Sequence, residues 1–282
     1  MGARSLATQA LAWARRQASV LKAVAFVTYK EWAAYRSHML LSLVIGPAYF
    51  LAQYFIWNAV FSARSDVGGL GLEAMLGYYG VATLIYYLTM DFADWNLQMH
   101  IRVGSFLTFM LRPLSHRYFA LSQKVGHRIL GFFFELVPVW LILAIAFGMP
   151  LLPASWPWAV ASIALGFLMV FFLNYSIGIA AFWMTRTDGL RSIFALFRDI
   201  MAGAVLPLSL FPLPVQKVLF FLPFQYATYV PTRVFLGSYE LGGASFSLPA
   251  IVGCQAVAVL CMWLVSEILW RLGARKYTGV GA

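Results

Sequence analysis

Six apolar runs, each about the 20 residues that a helix needs to cross a bilayer, occupy most of this 282-residue chain: 39–61, 76–96, 129–149, 159–183, 194–212 and 248–270. They cannot be packed away in a water-soluble core. The chain is 62% apolar and 11% charged, whereas soluble domains carry ~45–50% and about 25%. Surface-to-volume scaling leaves too much surface for so few polar residues to cover. Composition thus excludes a soluble enzyme, a disordered chain and a disulfide scaffold. The expected fold is all-α: a polytopic membrane protein with one six-helix domain over 39–270, preceded by residues 1–38 and followed by a tail, 271–282.

The basic residues orient the bundle. Arg4, Arg15, Arg16, Lys22, Lys30 and Arg36 precede span one; Arg102, Arg112, Arg117, Lys124 and Arg128 follow span two. Arg186, Arg191 and Arg198 lead into span five, and Arg271, Arg275 and Lys276 close the chain. Against these seventeen, only Arg64, Lys217 and Arg233 fall on the opposite side. Basic loops stay cytoplasmic, so both termini are expected inside, which an even number of spans requires. The net charge of +10 would suggest nucleic acid in a soluble protein; here it is a topology signal and no nucleic-acid partner is expected. Cys254 and Cys261, seven apart on one helix, lie roughly 10 Å from each other, too far to bridge, and read as packing residues.

Lys22, Lys30 and Glu31 interrupt the first 38 residues, so these are not a cleaved signal. Leu11, Ala14, Ala18, Leu21, Ala25, Thr28, Trp32 and Tyr35 recur at three-to-four spacing, with most basic residues off that stripe. This is the pattern of a helix lying in the inner headgroup layer; a frayed basic tail is the plainer alternative.

Two connections are not ordinary loops. Residues 97–128 are too long for a turn. Within them Phe106, Phe109/Met110 and Pro113 share a helical face with Arg102 and Arg112 nearby, and Pro113 ends the helix. A short stiff helix with apolar knobs suits docking into a groove of a soluble partner; a second interfacial helix touching only lipid fits equally well. Residues 211–237 are too apolar for a watery loop and too rich in proline for a span. Short re-entrant helices over 213–237, packed against the bundle, fit best, with an amphipathic helix on the outer surface as the alternative.

The ionisable residues of the spans, Asp91, Asp94, Glu135, Arg198, Asp199 and Glu267, all map to the cytoplasmic half. Such residues are costly in a membrane and default to functional suspects. Glu267 and Arg271 are spaced for an i,i+4 pair. Asp91, Glu135 and Asp199 fit the lining of a cytoplasm-facing entrance. Arg198 and Asp199, as neighbours about 100° apart on a helix, are expected not to neutralise each other. Asp91 and Asp94 share a face as a metal pair would, but no second carboxylate pair supports them and His100, His116 and His127 lack ligand spacing; interface caps and anchors are the simpler reading, and no metal site is assigned. Nor does the sequence contain a glycine-rich phosphate loop ending in Lys-Ser/Thr or a hydrolase motif. Any ATPase that drives this chain is therefore expected to be a separate polypeptide.

The layout resembles the membrane subunit of an ABC-2 type ATP-binding-cassette exporter of the bacterial six-span subgroup. Two stretches carry the resemblance. One is Gly104-Ser105-Phe106-Leu107 through Leu111-Arg112-Pro113-Leu114, which is similar to a "G-x-hydrophobic … L-x-R/K-P" element. The other is Gly203-Ala204-Val205-Leu206-Pro207-Leu208 with Phe211-Pro212, then Leu222-Pro223-Phe224 and Tyr229-Val230-Pro231 up to Gly237. The resemblance implies that the region around 104–118 is a coupling helix seated on the ATPase, with Gly104, Phe106, Phe109, Met110, Arg112 and Pro113 as its residues. It implies an outer gate in the re-entrant segment, at Pro207, Phe211, Pro223, Phe224 and Pro231, and a path and dimer interface along spans one, two and five. It also implies a bacterial inner-membrane location, a cassette ATPase dimer that holds ATP and Mg, no cofactor on this chain, and a second permease chain, identical or different.

ATP binding below would move the coupling helix as a rigid body and tilt the spans. Tyr78, Tyr79, Tyr86, Tyr87 and Asp91 on span two, with Glu135 and Asp199, offer an aromatic path with an acidic entrance for amphipathic, lipid-like or drug-like substrates, cations among them; aromatic packing between helices is the plainer reading of the tyrosines. The competing classes are a lipid-modifying membrane enzyme built on Asp91 and Asp94, and an ATP-independent transporter, whose usual internal repeat is not evident here.

Overall fold

A computed structural model describes residues 2–34, 36–111, 114–149, 151–184 and 186–277, with side chains from Arg15 onward except at 32, 34, 36–40 and 42. The fold is overwhelmingly helical. The helices are α1 (Gly2–Ala34), α2 (Arg36–Ala63), α3 (Leu72–Thr89), α4 (Ala93–Arg102), α5 (Phe106–Met110), α6 (His116–Gly131), α7 (Val137–Ala146), α8 (Trp156–Ile179), α9 (Asp188–Met201), α10 (Leu213–Phe221), α11 (Tyr229–Phe235) and α12 (Leu248–Ala274). Among the described residues the strands are a single antiparallel hairpin, β1 (Tyr239–Leu241) with β2 (Ala244–Phe246), in which Tyr239 faces Phe246.

Among the described residues four helices are long and apolar enough to cross a membrane: Leu43–Ala63, His116–Ala146, Trp156–Phe182 and Leu248–Ala274. The last three begin on sequence signals: Ser115 accepts the Tyr118 N–H at 3.3 Å, and Pro sits in the first turn of α8 and of α12, where its missing N–H costs nothing. A π-helical turn, Phe132–Leu136, joins α6 to α7 and makes one continuous rod. Two of the runs read as spans are interrupted. The run 76–96 stops at Thr89 and restarts as α4, where Asp91 Oδ1 accepts the Ala93 N–H at 2.6 Å. The run 194–212 is helical only to Met201, then unwinds through 202–207.

The bundle is organised around α8, which packs against α3, α4, α11 and α12. Ser162 Oγ donates to Gln255 Oε1 at 2.7 Å, while Gln255 Nε2 donates to the carbonyls of Ser162 and Tyr226, so a fully satisfied polar knot joins α8 to α12. Tyr78, Tyr175, Tyr229 and Phe171 are among the largest fully buried side chains.

α1 lies along α6. Ala25 and Thr28 of the expected stripe are buried there, while Ala18 is exposed. The Tyr118 hydroxyl donates to the Gln17 carbonyl at 2.6 Å. Tyr35 lies outside the described residues, as do the side chains of Leu11, Ala14 and Trp32. Cys254 is half-buried and Cys261 exposed, both unbridged.

Candidate functional site

The segment between α4 and α6 is built on an aromatic floor. Gly104 turns the chain with φ +72, a conformation that disfavours any residue with a Cβ. It delivers α5 with Phe106 and Phe109 pointing inward. Phe106 meets the rings of Phe182, Trp270, Tyr277 and His116 at 5.1–5.8 Å between centroids, and Phe109 meets His100, His116 and Phe119 at 4.7–5.0 Å. His116 bridges the cluster: its Nε2 lies 2.9 Å from His100 Nδ1, and its Nδ1 lies 3.1 Å from the Tyr175 hydroxyl. Burial pushes the His100 imidazole below its usual range, which favours the neutral ring.

This corrects the expected docking face. Phe106 and Phe109 are 3% and 8% exposed; the residues turned outward are Leu107 (48%), Met110 (57%) and Leu111 (88%). A five-residue helix that is apolar on both sides gives no periodic cue to which side turns in. Trp270 and Tyr277 decide it, from more than 160 positions away. Arg112 and Pro113 lie outside the described residues.

The tyrosines of α3 have structural work. Around the unwound stretch after α9, the Tyr78 hydroxyl donates to the Gly203 carbonyl at 2.7 Å, Tyr49 to Ala204 at 3.0 Å and Tyr79 to Val205 at 2.9 Å. Three successive carbonyls without a helical partner are thus satisfied from α2 and α3. The Tyr87 hydroxyl accepts the Gly46 N–H at 2.9 Å, next to Pro47 inside α2. Tyr78, Tyr79 and Tyr87 are buried; Tyr86 stays half exposed. The plainer reading of this aromatic row, packing between helices, describes all but Tyr86.

The ionisable residues pair rather than line an open entrance. Asp91 Oδ2 accepts from Lys124 Nζ at 3.1 Å, with side chains 1% and 2% exposed, and Lys124 also donates to the Phe167 carbonyl at 2.6 Å. Glu135, on the π turn and buried, lies 3.6 Å from Arg128, which also donates to the Tyr87 carbonyl. Asp94 lies 3.8 Å from Arg191. Glu267 holds Arg271 at 2.7 Å as the spacing predicts, and also Arg117 at 2.8 Å. The expectation for Arg198 and Asp199 is overturned: they pair at 2.9 Å, with Arg198 donating to Asn174 Oδ1 at 2.5 Å. A guanidinium on a long stem folds back across the 100° that separates the two Cα–Cβ directions. Asp199 remains partly open, and Asp91 and Glu135 do not. Lys124, Arg128 and Tyr49 were not singled out by sequence; the one signal was that Lys124 and Arg128 are four apart and share a helix face.

The proline-rich segment forms α10, a 3-10 turn (Pro223–Tyr226) and α11. Pro207 ends the unwound stretch before a second 3-10 turn, and Phe211 follows that turn. Pro223 opens its own turn, and Phe224 packs on Phe194 of α9 at 6.0 Å. Pro231, buried in α11, sits against Gly166 of α8.

A family model described as ABC-2 family transporter protein matches residues 48–281, from inside α2 to beyond α12. The chain belongs to the ABC-2 family of transporter proteins. No curated protein and no solved structure gives a significant match. This ABC-2 chain is therefore an integral membrane protein and a transporter permease subunit. It is a transport component rather than an enzyme in itself, and its family implies association with an ATPase component. The match spans the broken stretch after α9, the aromatic floor and the proline-rich segment alike.

Proposed function

We propose that this permease is half of the membrane part of an ATP-driven exporter, moving an amphipathic, lipid-like or drug-like substrate out of the cytoplasm or inner leaflet. A separate cassette ATPase dimer holds ATP and Mg, and a second permease chain completes the path. The observation that carries the reading is α5. Phe106 seats it against α12 and the 3-10 turn that follows α8, and Phe109 against α4 and α6, yet it presents Leu107, Met110 and Leu111 outward. An apolar surface on a rigidly seated rod can pass a push from a docked partner to the spans.

In this reading α3 with α4, and α9 with the unwound 202–207, complete six crossings, both termini are cytoplasmic in a bacterial inner membrane, and α1 lies in the inner headgroup layer. Residues 1–38, 39–270 and 271–282 are its three parts. Segment 97–128 meets the ATPase, with Gly104, Phe106 and Phe109 positioning the contact that Leu107, Met110 and Leu111 make and Arg112-Pro113 end. Tyr86 and Asp199 face the path; Tyr79, Asp91 and Glu135 hold its walls. Pro207, Phe211, Pro223, Phe224 and Pro231 form the outer gate.

The test is co-purification of the detergent-solubilised chain with its ATPase, alongside substrate-stimulated ATP hydrolysis. Leu107→Asp with Met110→Asp is expected to abolish both while the chain still runs as a folded species. Retention of the ATPase by that variant, or ATP-independent turnover by the wild type, overturns the assignment.

A further inference from the structure

A cavity of about 990 Å³ opens between α3, the α6–α7 rod and α8. Leu84 and Leu88 form one wall, Phe132 and Leu136 of the π turn the second, and Ile163 and Leu168 of α8 the third. Trp140 and Trp156 close one end, with the Trp140 indole N–H already donated to the Leu151 carbonyl at 3.0 Å. Arg128 and Phe167 stand at the other. The eleven helical steps from Trp156 to Phe167 give the cleft a length of about 16 Å at ~1.5 Å per residue.

Two of the walls belong to helices long and apolar enough to cross a membrane; an apolar opening between such helices faces hydrocarbon rather than water. An apolar cleft has no use for water in any case. At the Arg128 end the chemistry changes. The guanidinium is buried; it donates to the Tyr87 carbonyl and to His127 and faces Glu135, but its Nε–H has no acceptor among the described residues. A buried donor left over in this way points to a missing partner.

We propose that the cleft holds the acyl chains of a glycerophospholipid, with a phosphate or ester oxygen at the Arg128 end accepting from Nε and the tails running toward Trp140 and Trp156. The apolar walls take the tails, and the orphaned donor takes the head. The inference rests on membrane insertion alone and stands apart from the ATP-driven cycle.

The experiment is native mass spectrometry of the purified full-length chain after detergent exchange, with lipid extraction to identify what is retained. The wild type is expected to keep a phospholipid at stoichiometric level. Ala164→Trp, at an exposed position on the cavity wall, is expected to weaken retention by more than about tenfold, and Val160→Trp on the same wall to do the same if the first variant fails to fold. Val257→Trp, exposed on α12 outside the cavity, is expected to keep the lipid. Arg128→Lys keeps the charge but removes Nε, and is expected to lower phospholipid retention. A wild type that retains only detergent or free fatty acid overturns the proposal, as does retention unchanged by both cavity variants.

Discussion

Lys124 brings an ammonium group to a place where its side chain is 2% exposed. Removing such an ion from water costs several kcal/mol even after relaxation. The offsets are the Asp91 carboxylate, the Phe167 carbonyl, and the Phe167 ring, whose centre lies 4.1 Å from Nζ. Asp91 also starts α4 through its other oxygen, so one carboxylate fixes both the helix break and the joint to α6 and α8. Asp91→Asn is expected to destabilise by about 3–5 kcal/mol, because it strands a buried charge. The double variant Asp91→Leu with Lys124→Met is expected to recover most of that loss. Thermal unfolding in detergent reads both; equal melting of the single and double variants would show that the pair is not the cause. Sequence marked Asp91 as a suspect but counted Lys124 only as a flanking positive charge. A tally of basic residues by loop discards the helix face on which each one stands, and the face is what makes Lys124 a buried partner. The Arg198–Asp199 pair was missed for a related reason: the angle between adjacent Cα–Cβ directions says little about where a four-bond guanidinium stem ends.

At the scale of elements, α1 and α6 touch backbone to backbone. A Cβ on Gly126 would lie 2.4 Å from the Ala25 carbonyl oxygen, closer than atoms approach. Gly126→Val therefore has to push α1 away, an overpacking cost of about 1–3 kcal/mol. Trypsin is expected to cut the variant faster at exposed Arg15, Arg16 and Lys22, as followed by intact mass; an unchanged cutting rate would mean that α1 is held elsewhere. The stripe on α1 was legible from its spacing, since Ala25 and Thr28 do face inward, but the partner was not, because a stripe looks the same whether lipid or another helix covers it. The short α5 was legible as a helix, and its inward side was not. The run 194–212 reads as one unbroken helix because hydropathy registers side chains. The backbone break at 202–207 needs tyrosines from two other helices, and no local pattern announces them.

For the molecule as a whole, the proposed topology makes a direct expectation. In a background with Cys254 and Cys261 replaced by Ser, single cysteines at exposed Asp66 and Ser245 should react with an impermeant maleimide in intact cells. Cysteines at exposed Arg16 and Arg275 should react only after permeabilisation. Labelling of all four on one side would refute the assignment of the two loops to the outer face, and labelling of the termini on opposite sides would refute an even number of crossings. The bonds at Gly203, Ala204 and Val205 then acquire a consequence for motion. Their three donors are mounted on two different helices but hang from one ribbon of backbone. α2 cannot slide past α3 while that ribbon stays pinned to both, and a single peg cannot slip without straining the next. Movement there is a detent rather than a glide: the stretch stays latched against small thermal jostling and releases only to a push strong enough to lift every peg together.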